Sequence, residues 1–227
     1  MGRALRVTPG DTVYHVLNRA NGRQALFDAE GDYAAFAREL AEAQQRVSMR
    51  LLAYCLMPNH WHLVLWPLRD GDLSRFMAWL TLTHTQRWHA HRHTTGNGHL
   101  YQGRFKSFLV QTDAHLLTVC RYVERNALRA HLVERAERWR WGSLWLRESG
   151  QGTSGLLVED GPMARPAHWV EWVNAAETEP ELMAVRQSVV RSQPYGETGW
   201  VEAMVDRLSL HMTQRPQGRP KMLKVGV

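Results

Sequence analysis

Two runs dense in apolar and aromatic side chains, residues 50–56 and 60–66, are separated only by Met57-Pro58-Asn59. Proline and asparagine are turn formers, so the pair reads as two strands of one hairpin. A hairpin in mid-chain narrows what the flanking segments can be. Residues 13–17, with the β-branched and aromatic core Thr12-Val13-Tyr14-His15-Val16, read as a strand before it. Between them Asn21 to Arg23 is a turn at Gly22, and residues 32–47 have helical spacing, with Tyr33, Phe36, Leu40 and Ala43 on one face. After the hairpin come a helix over 73–89, a polar loop over 91–101, a strand over 105–110, and a helix to Arg129 with Thr112 as its N-cap. The order β, α, β, β, α, β, α is that of an α+β, ferredoxin-like split βαβ sandwich. In it an antiparallel sheet is covered by helices on one face.

The rest of the chain continues differently. Residues 148–166, rich in Gly, Ser and Pro, read as a linker or surface loop. A helical extension follows, broken at 192–196. The expected plan is an α+β domain over 1–147, the loop over 148–166, the extension over 167–214 and a basic tail over 215–227. At 227 residues and 44% hydrophobic, the chain can bury one good core with a smaller appendage. No apolar run approaches 18 residues, and residues 1–7 contain no apolar signal-peptide region. A membrane span is therefore not expected. Cys55 and Cys120, the only cysteines, lie in apolar stretches and read as small buried side chains. That count excludes a disulfide framework and points to a reducing cytoplasm. The formal charge of +6 suits a partner carrying phosphates, though a generally basic surface would give the same value.

Two motifs carry chemistry. In Asn59-His60-Trp61-His62-Leu63-Val64-Leu65, strand alternation puts His60 and His62 on one face, where two neutral imidazoles can bind one metal ion. Trp61, Leu63 and Leu65 point the other way. The plain alternative is a pair of surface histidines. In Cys120-Arg121-Tyr122-Val123-Glu124-Arg125-Asn126-Ala127-Leu128-Arg129, helical spacing puts Tyr122, Asn126 and Arg129 on one face. Such a stripe suits a phosphate-handling site; the alternative is a half-buried tyrosine beside solvated arginines. Glu124 lies about 200° round the helix from Tyr122.

Residues 52–66 resemble the histidine–hydrophobic–histidine (HUH) motif of single-tyrosine nucleases. More closely, the chain resembles the REP-associated tyrosine transposases. The resemblance rests on Met57-Pro58-Asn59-His60-Trp61-His62, Tyr101-Gln102-Gly103-Arg104-Phe105-Lys106, Arg121-Tyr122-Val123-Glu124-Arg125-Asn126 and Trp139-Arg140-Trp141-Gly142-Ser143. It covers residues 13–143. Two positions depart from the family: Ala127 where proline is usual, and His131 where glycine often stands. The resemblance implies a DNA-nicking and DNA-joining enzyme with Tyr122 as nucleophile and a 5′-phosphotyrosine intermediate. It implies Mg²⁺ or Mn²⁺ held by His60, His62 and, four residues after the tyrosine, Asn126. It implies single-stranded or hairpin DNA, formed from short palindromic repeats, as partner. Arg104, Lys106, Arg125 and Arg129 are the expected phosphate contacts. Two other readings stay open: a DNA binder of the same fold without turnover, and a hydrolase activating water at His60 and His62. The oligomeric state is open between monomer and homodimer.

Weaker features remain. His89 and His93 stand four residues apart and would form a rival metal site only if the helix reached that far; a polar helix end is the preferred reading. Trp61, Trp79, Trp169 and Trp172 are expected in cores. The segment Arg215-Pro216-Gln217-Gly218-Arg219-Pro220-Lys221 is basic, and Arg219 is a candidate for insertion into a minor groove.

Overall fold

A computed structural model describes residues 7–151 and 155–215. Its centre is one four-stranded sheet: β1 (Val13–Arg19), β2 (Met49–Met57), β3 (His60–Pro67) and β4 (Lys106–Val110), in the spatial order β2-β3-β1-β4. Each neighbouring pair is antiparallel. The 50–56/60–66 hairpin forms as read, with Met57 facing His60 across the turn. The inner strands are β1 and β3, which explains why Val13 through Asn18 are all buried. The arrangement is the expected ferredoxin-like split βαβ sandwich.

One face of the sheet is covered by α1 (Glu30–Arg46) and α2 (Asp72–His91). Helix α1 buries Tyr33, Phe36, Ala37 and Leu40. The Asp32 carboxylate accepts from the Asp28 and Ala29 amides at its start. Helix α2 buries Leu73, Phe76, Met77, Leu80 and His84, the same i, i+3, i+4, i+7 stripe. These meet Tyr14, Val16, Tyr54, Trp61, Leu63 and Leu65 from the strands.

The opposite face is not left bare, which corrects the expectation of helices on one face only. There α3 (Ala114–Glu124) lays Leu116, Val119, Cys120 and Val123 on Val13, Ala53, Cys55, Val64 and Phe108. Burying a valine such as Val119 or Val123 is worth about 1.5–3 kcal/mol. The N-cap of α3 is Asp113, whose carboxylate accepts from the His115 amide, and not Thr112. After a slight interruption at Arg125 the chain makes one more turn, α4 (Asn126–Arg129). His131 follows at φ 57°, the left-handed conformation that favours glycine, which gives a physical reason for glycine at that position in the family.

Segments after residue 130 reach both sheet edges. Along β2, the Leu56 amide donates to the Trp141 carbonyl and the Glu159 amide donates to the Leu51 carbonyl. Ser143, which opens α5 (Ser143–Ser149), takes the Tyr54 amide on its hydroxyl. A bulge at Leu52 turns its carbonyl outward, where Arg165 donates to it. Along β4, Tyr195 exchanges backbone hydrogen bonds with Leu109 and Gln111.

The expected extension is three short helices, α6 (Trp169–Asn174), α7 (Glu179–Arg191) and α8 (Thr198–Arg207), with a break at 175–178 besides the expected one. Thr178 and Glu181 form a capping box at the start of α7. Trp169, Val173 and Val185 pack into the core under α3. Trp61 and Trp169 are fully core residues, while Trp79 and Trp172 are partly buried against the two cores. No helix among the described residues is long and apolar enough to cross a membrane.

Candidate active site

The site lies where the inner strands meet α3. In β3, His60 and His62 alternate with buried Trp61 and Leu63, so both imidazoles emerge on the α3 face. Their ring centroids are 5.1 Å apart. Tyr122, two residues before the end of α3, reaches the same place: its ring centroid lies 5.9 Å from that of His62. Thus the two motifs converge. Tyr122 is buried to 7% exposure, and none of the side-chain hydrogen bonds among the described residues involves its hydroxyl. Burial pushes the phenol pKa up, while Arg129, whose guanidinium carbon sits 4.2 Å over the ring, works in the opposite direction.

Both histidines are neutral at physiological pH. Burial, with help from Arg19 and Arg129, pushes His60 down to about 4. His62 is held well below the usual histidine range by burial, then by His15 and His60. Neutral imidazole is the form that binds metal. His60 Nδ1 is 2.7 Å from the Asn59 side-chain oxygen, a bond in which the ring must donate, so Nε2 carries the free lone pair.

Asn126 is the third ligand that the family resemblance implies. It is buried, and its Nδ2 has no hydrogen-bond partner. An unpaired buried amide is costly unless it serves something the protein alone does not supply. A half-turn of the carboxamide would put the oxygen in that place. Among the described residues no group of three His, Cys, Asp or Glu side chains comes together in a way that could hold a metal ion. The expected donors are two imidazoles and one carboxamide. They fit an exchangeable divalent ion with positions open to water and phosphate oxygen, and not a closed structural site.

The expected phosphate contacts divide. Arg104 and Lys106 are exposed and make no ion pair among the described residues. Lys106 stands opposite Leu17, on the face of the sheet that carries the histidines. Arg125 is committed elsewhere: it donates to the Val173 and Asn174 carbonyls and lies 3.7 Å from Glu177. The end of α6, with its unpaired carbonyls, attracts the guanidinium. Arg129 is also engaged, donating to Glu177 at 2.6 Å and to the Tyr122 carbonyl. Both arginines therefore brace the end of α3 and α4 against the extension. Arg219 lies outside the described residues.

Three residues near the site escaped the sequence reading. His15 bonds to His62, Arg19 stands opposite His60, and Asn59 orients His60. Alternation along β1 could have found the first two, since His15, Leu17 and Arg19 share a face. The rival histidines do not form a site: His89 bonds Thr94, and His93 is exposed at φ 52°. Glu124 faces away from Tyr122 as expected and is buried, accepting from Ser143 and Trp169. Cys55 and Cys120 are buried free thiols, both pushed up to about 12 by burial.

The comparisons agree with this architecture. The family model described as "Transposase IS200 like" matches residues 10–126. Among solved structures, a REP-associated tyrosine transposase bound to a REP hairpin is 18% identical, covers 67% of this chain and 88% of its own, and has a TM-score of 0.51. At that identity the likeness speaks to the fold. A Deinococcus radiodurans protein assigned to the transposases is 18% identical and covers 55% of this chain and 95% of its own. Its TM-score of 0.37 is too low to bear on the argument. No curated protein gives a significant match.

Proposed function

Since the chain belongs to the IS200-like transposase family, we propose that it nicks and rejoins single-stranded DNA at hairpin-forming repeats, with Tyr122 as nucleophile. The observation that carries this reading is the 5.9 Å approach of the Tyr122 ring to His62, residues brought together from separate motifs. Residues 1–147 are read as the catalytic unit, with the segment 167–214 bracing its nucleophile helix.

His60, His62 and Asn126 would hold Mg²⁺ or Mn²⁺, which would supply Lewis-acid polarisation of the scissile phosphate and help orient it. Tyr122 Oη attacks the backbone phosphorus. The bond from phosphorus to the 3′-oxygen breaks, leaving a 5′-phosphotyrosine and a free 3′-hydroxyl. The ester conserves the energy of the cleaved linkage, so attack by another 3′-hydroxyl reseals a strand. Burial keeps the phenol protonated at rest, and Arg129 over the ring favours the charge that develops as it reacts. Arg104, Lys106 and Arg19 are exposed cations able to grip neighbouring phosphates. The similar fold seen with a REP hairpin supports hairpin DNA as the partner class.

The test is a labelled hairpin oligonucleotide library mixed with the protein and Mn²⁺, resolved on a denaturing gel. A protein–DNA band that disappears in Tyr122→Phe and with chelator is expected. Cleavage with no band would show that water is the nucleophile. Binding without cleavage or band would show a non-catalytic DNA binder.

A further inference from the structure

His15 has no assigned task, yet it is fully buried beside the two candidate ligands. Leu17 stands opposite His62 in the sheet, so His15, two residues back on the same face, is its diagonal neighbour. Its Nε2 lies 2.9 Å from Nδ1 of His62. Phe108 packs 4.8 Å away, ring to ring. The remaining nitrogen of His15, Nδ1, is buried with no hydrogen-bond partner.

Two neutral imidazoles joined by one hydrogen bond have two arrangements. If His15 donates, His62 keeps its proton on Nε2 and that nitrogen has no lone pair to offer. If His62 donates from Nδ1, its Nε2 is bare and can ligate, and His15 then carries its own proton on the unpartnered Nδ1. Only the second arrangement serves an ion. Building on the metal role proposed for His60 and His62, we propose that His15 is a positioning residue that accepts the Nδ1 proton of His62 and so fixes Nε2 of His62 as the ligand nitrogen. Asn59 performs the same service for His60. Asn59 is partly exposed, so water can take its place; His15 is sealed from water, so nothing can replace it. A buried histidine with one idle nitrogen costs stability that a phenylalanine or leucine there would not. Service to His62 accounts for its presence. Carboxylates are the usual outer partners of ligating histidines and make them more basic. A neutral imidazole in that place leaves His62 a modest donor, in keeping with an ion that exchanges.

The test measures Mn²⁺ binding by titration calorimetry on the full-length, DNA-free protein and its His15→Leu, His15→Gln and His62→Ala variants, with thermal melts as the folding check. Glutamine can present an amide oxygen near the position of Nε2. Expected are a 10- to 100-fold weaker Mn²⁺ affinity in His15→Leu and recovery to within about threefold in His15→Gln by the same reasoning. His62→Ala should lose binding. In the Mg²⁺-loaded parent, long-range ¹H–¹⁵N spectra should place the His62 proton on Nδ1. A folded His15→Leu variant with parental affinity, or a His62 proton found on Nε2, overturns the proposal and leaves the metal reading intact. Failure of the parent to bind Mn²⁺ overturns both. Should His15→Leu not fold, the spectra of the parent decide.

Discussion

Glu124 offers the sharpest test of how α3 is held. Its side chain is 0% exposed. It accepts from the Ser143 hydroxyl at 2.7 Å and from the Trp169 indole at 2.7 Å, with the Arg165 guanidinium 3.8 Å away. Ser143 in turn takes the Tyr54 amide, so one carboxylate ties α3 to β2, α5 and α6. Glu124→Ala strands the buried Trp169 indole, at about 1–3 kcal/mol, while the Ser143 hydroxyl turns to the Tyr54 carbonyl and Arg165 keeps only the exposed Asp160, 3.5 Å away, as counter-charge. Loss of one partner of a buried charged group costs about 3–5 kcal/mol. For a chain of this size each kcal/mol shifts the melting temperature by roughly 2–4 °C, so a fall of about 10 °C is expected. Glu124→Gln should be milder, at about 1–2 kcal/mol, the loss of charge assistance alone. Its oxygen can still take the indole, and its amide can donate to Ser143, whose proton then turns to the Tyr54 carbonyl at 3.3 Å. Urea and thermal unfolding of the three proteins would measure this. If alanine and glutamine melt alike, or alanine melts within 2 °C of the parent, the three-way tie does not carry the stability assigned to it.

Other expectations follow from the same geometry. Arg104→Ala with Lys106→Ala should weaken binding to single-stranded DNA and flatten the log affinity against log salt slope by about 1.4, two contacts at about 0.7 each; an unchanged slope would remove both from the DNA path. Acid should destabilise the fold. His15 and His84 are pushed down to about 3 and His60 to about 4 by burial. Between those values and 6.5 the unfolded chain binds protons that the folded one does not, so stability falls with pH by about 1.4 kcal/mol per unit for each group. Glu39, raised to about 7 by burial, offsets one of them below that pH. The urea midpoint should therefore drop clearly from pH 7 to pH 5.5, and a level or rising midpoint would contradict the burial of these imidazoles. Gly196→Ala should cost about 1–3 kcal/mol, because a Cβ there would lie 2.5 Å from the Gln111 side-chain oxygen and 2.6 Å from the Trp200 ring; parental stability in chemical denaturation would count against that packing.

The sheet and its first three helices were legible because their signals are local. The Pro58-Asn59 turn, the stripe Tyr33–Phe36–Leu40 and the alternation through His60–Trp61–His62 each follow from neighbours in sequence. The two-motif site was legible for the same reason, helped by a family pattern that joined the motifs. What escaped was set by partners far along the chain. Arg125 and Arg129 read as phosphate contacts because the α6 carbonyls and Glu177 that engage them lie about 50 residues away. His15 sat in a strand assigned correctly, yet its task depends on β1 lying beside β3, which the order of elements alone does not fix. Glu159, in the segment read as a linker or surface loop, meets the β2 edge through its backbone amide, a contact that carries no residue signature.

The helix bearing Tyr122 lies on the very sheet whose histidines it faces, fastened through Glu124, Arg125 and Arg129 to its own chain. In the proposed reaction, nucleophile and ligands therefore come from a single polypeptide. On that proposal a second copy need lend neither nucleophile nor ligand, and two copies meeting on one DNA molecule would work as independent tools.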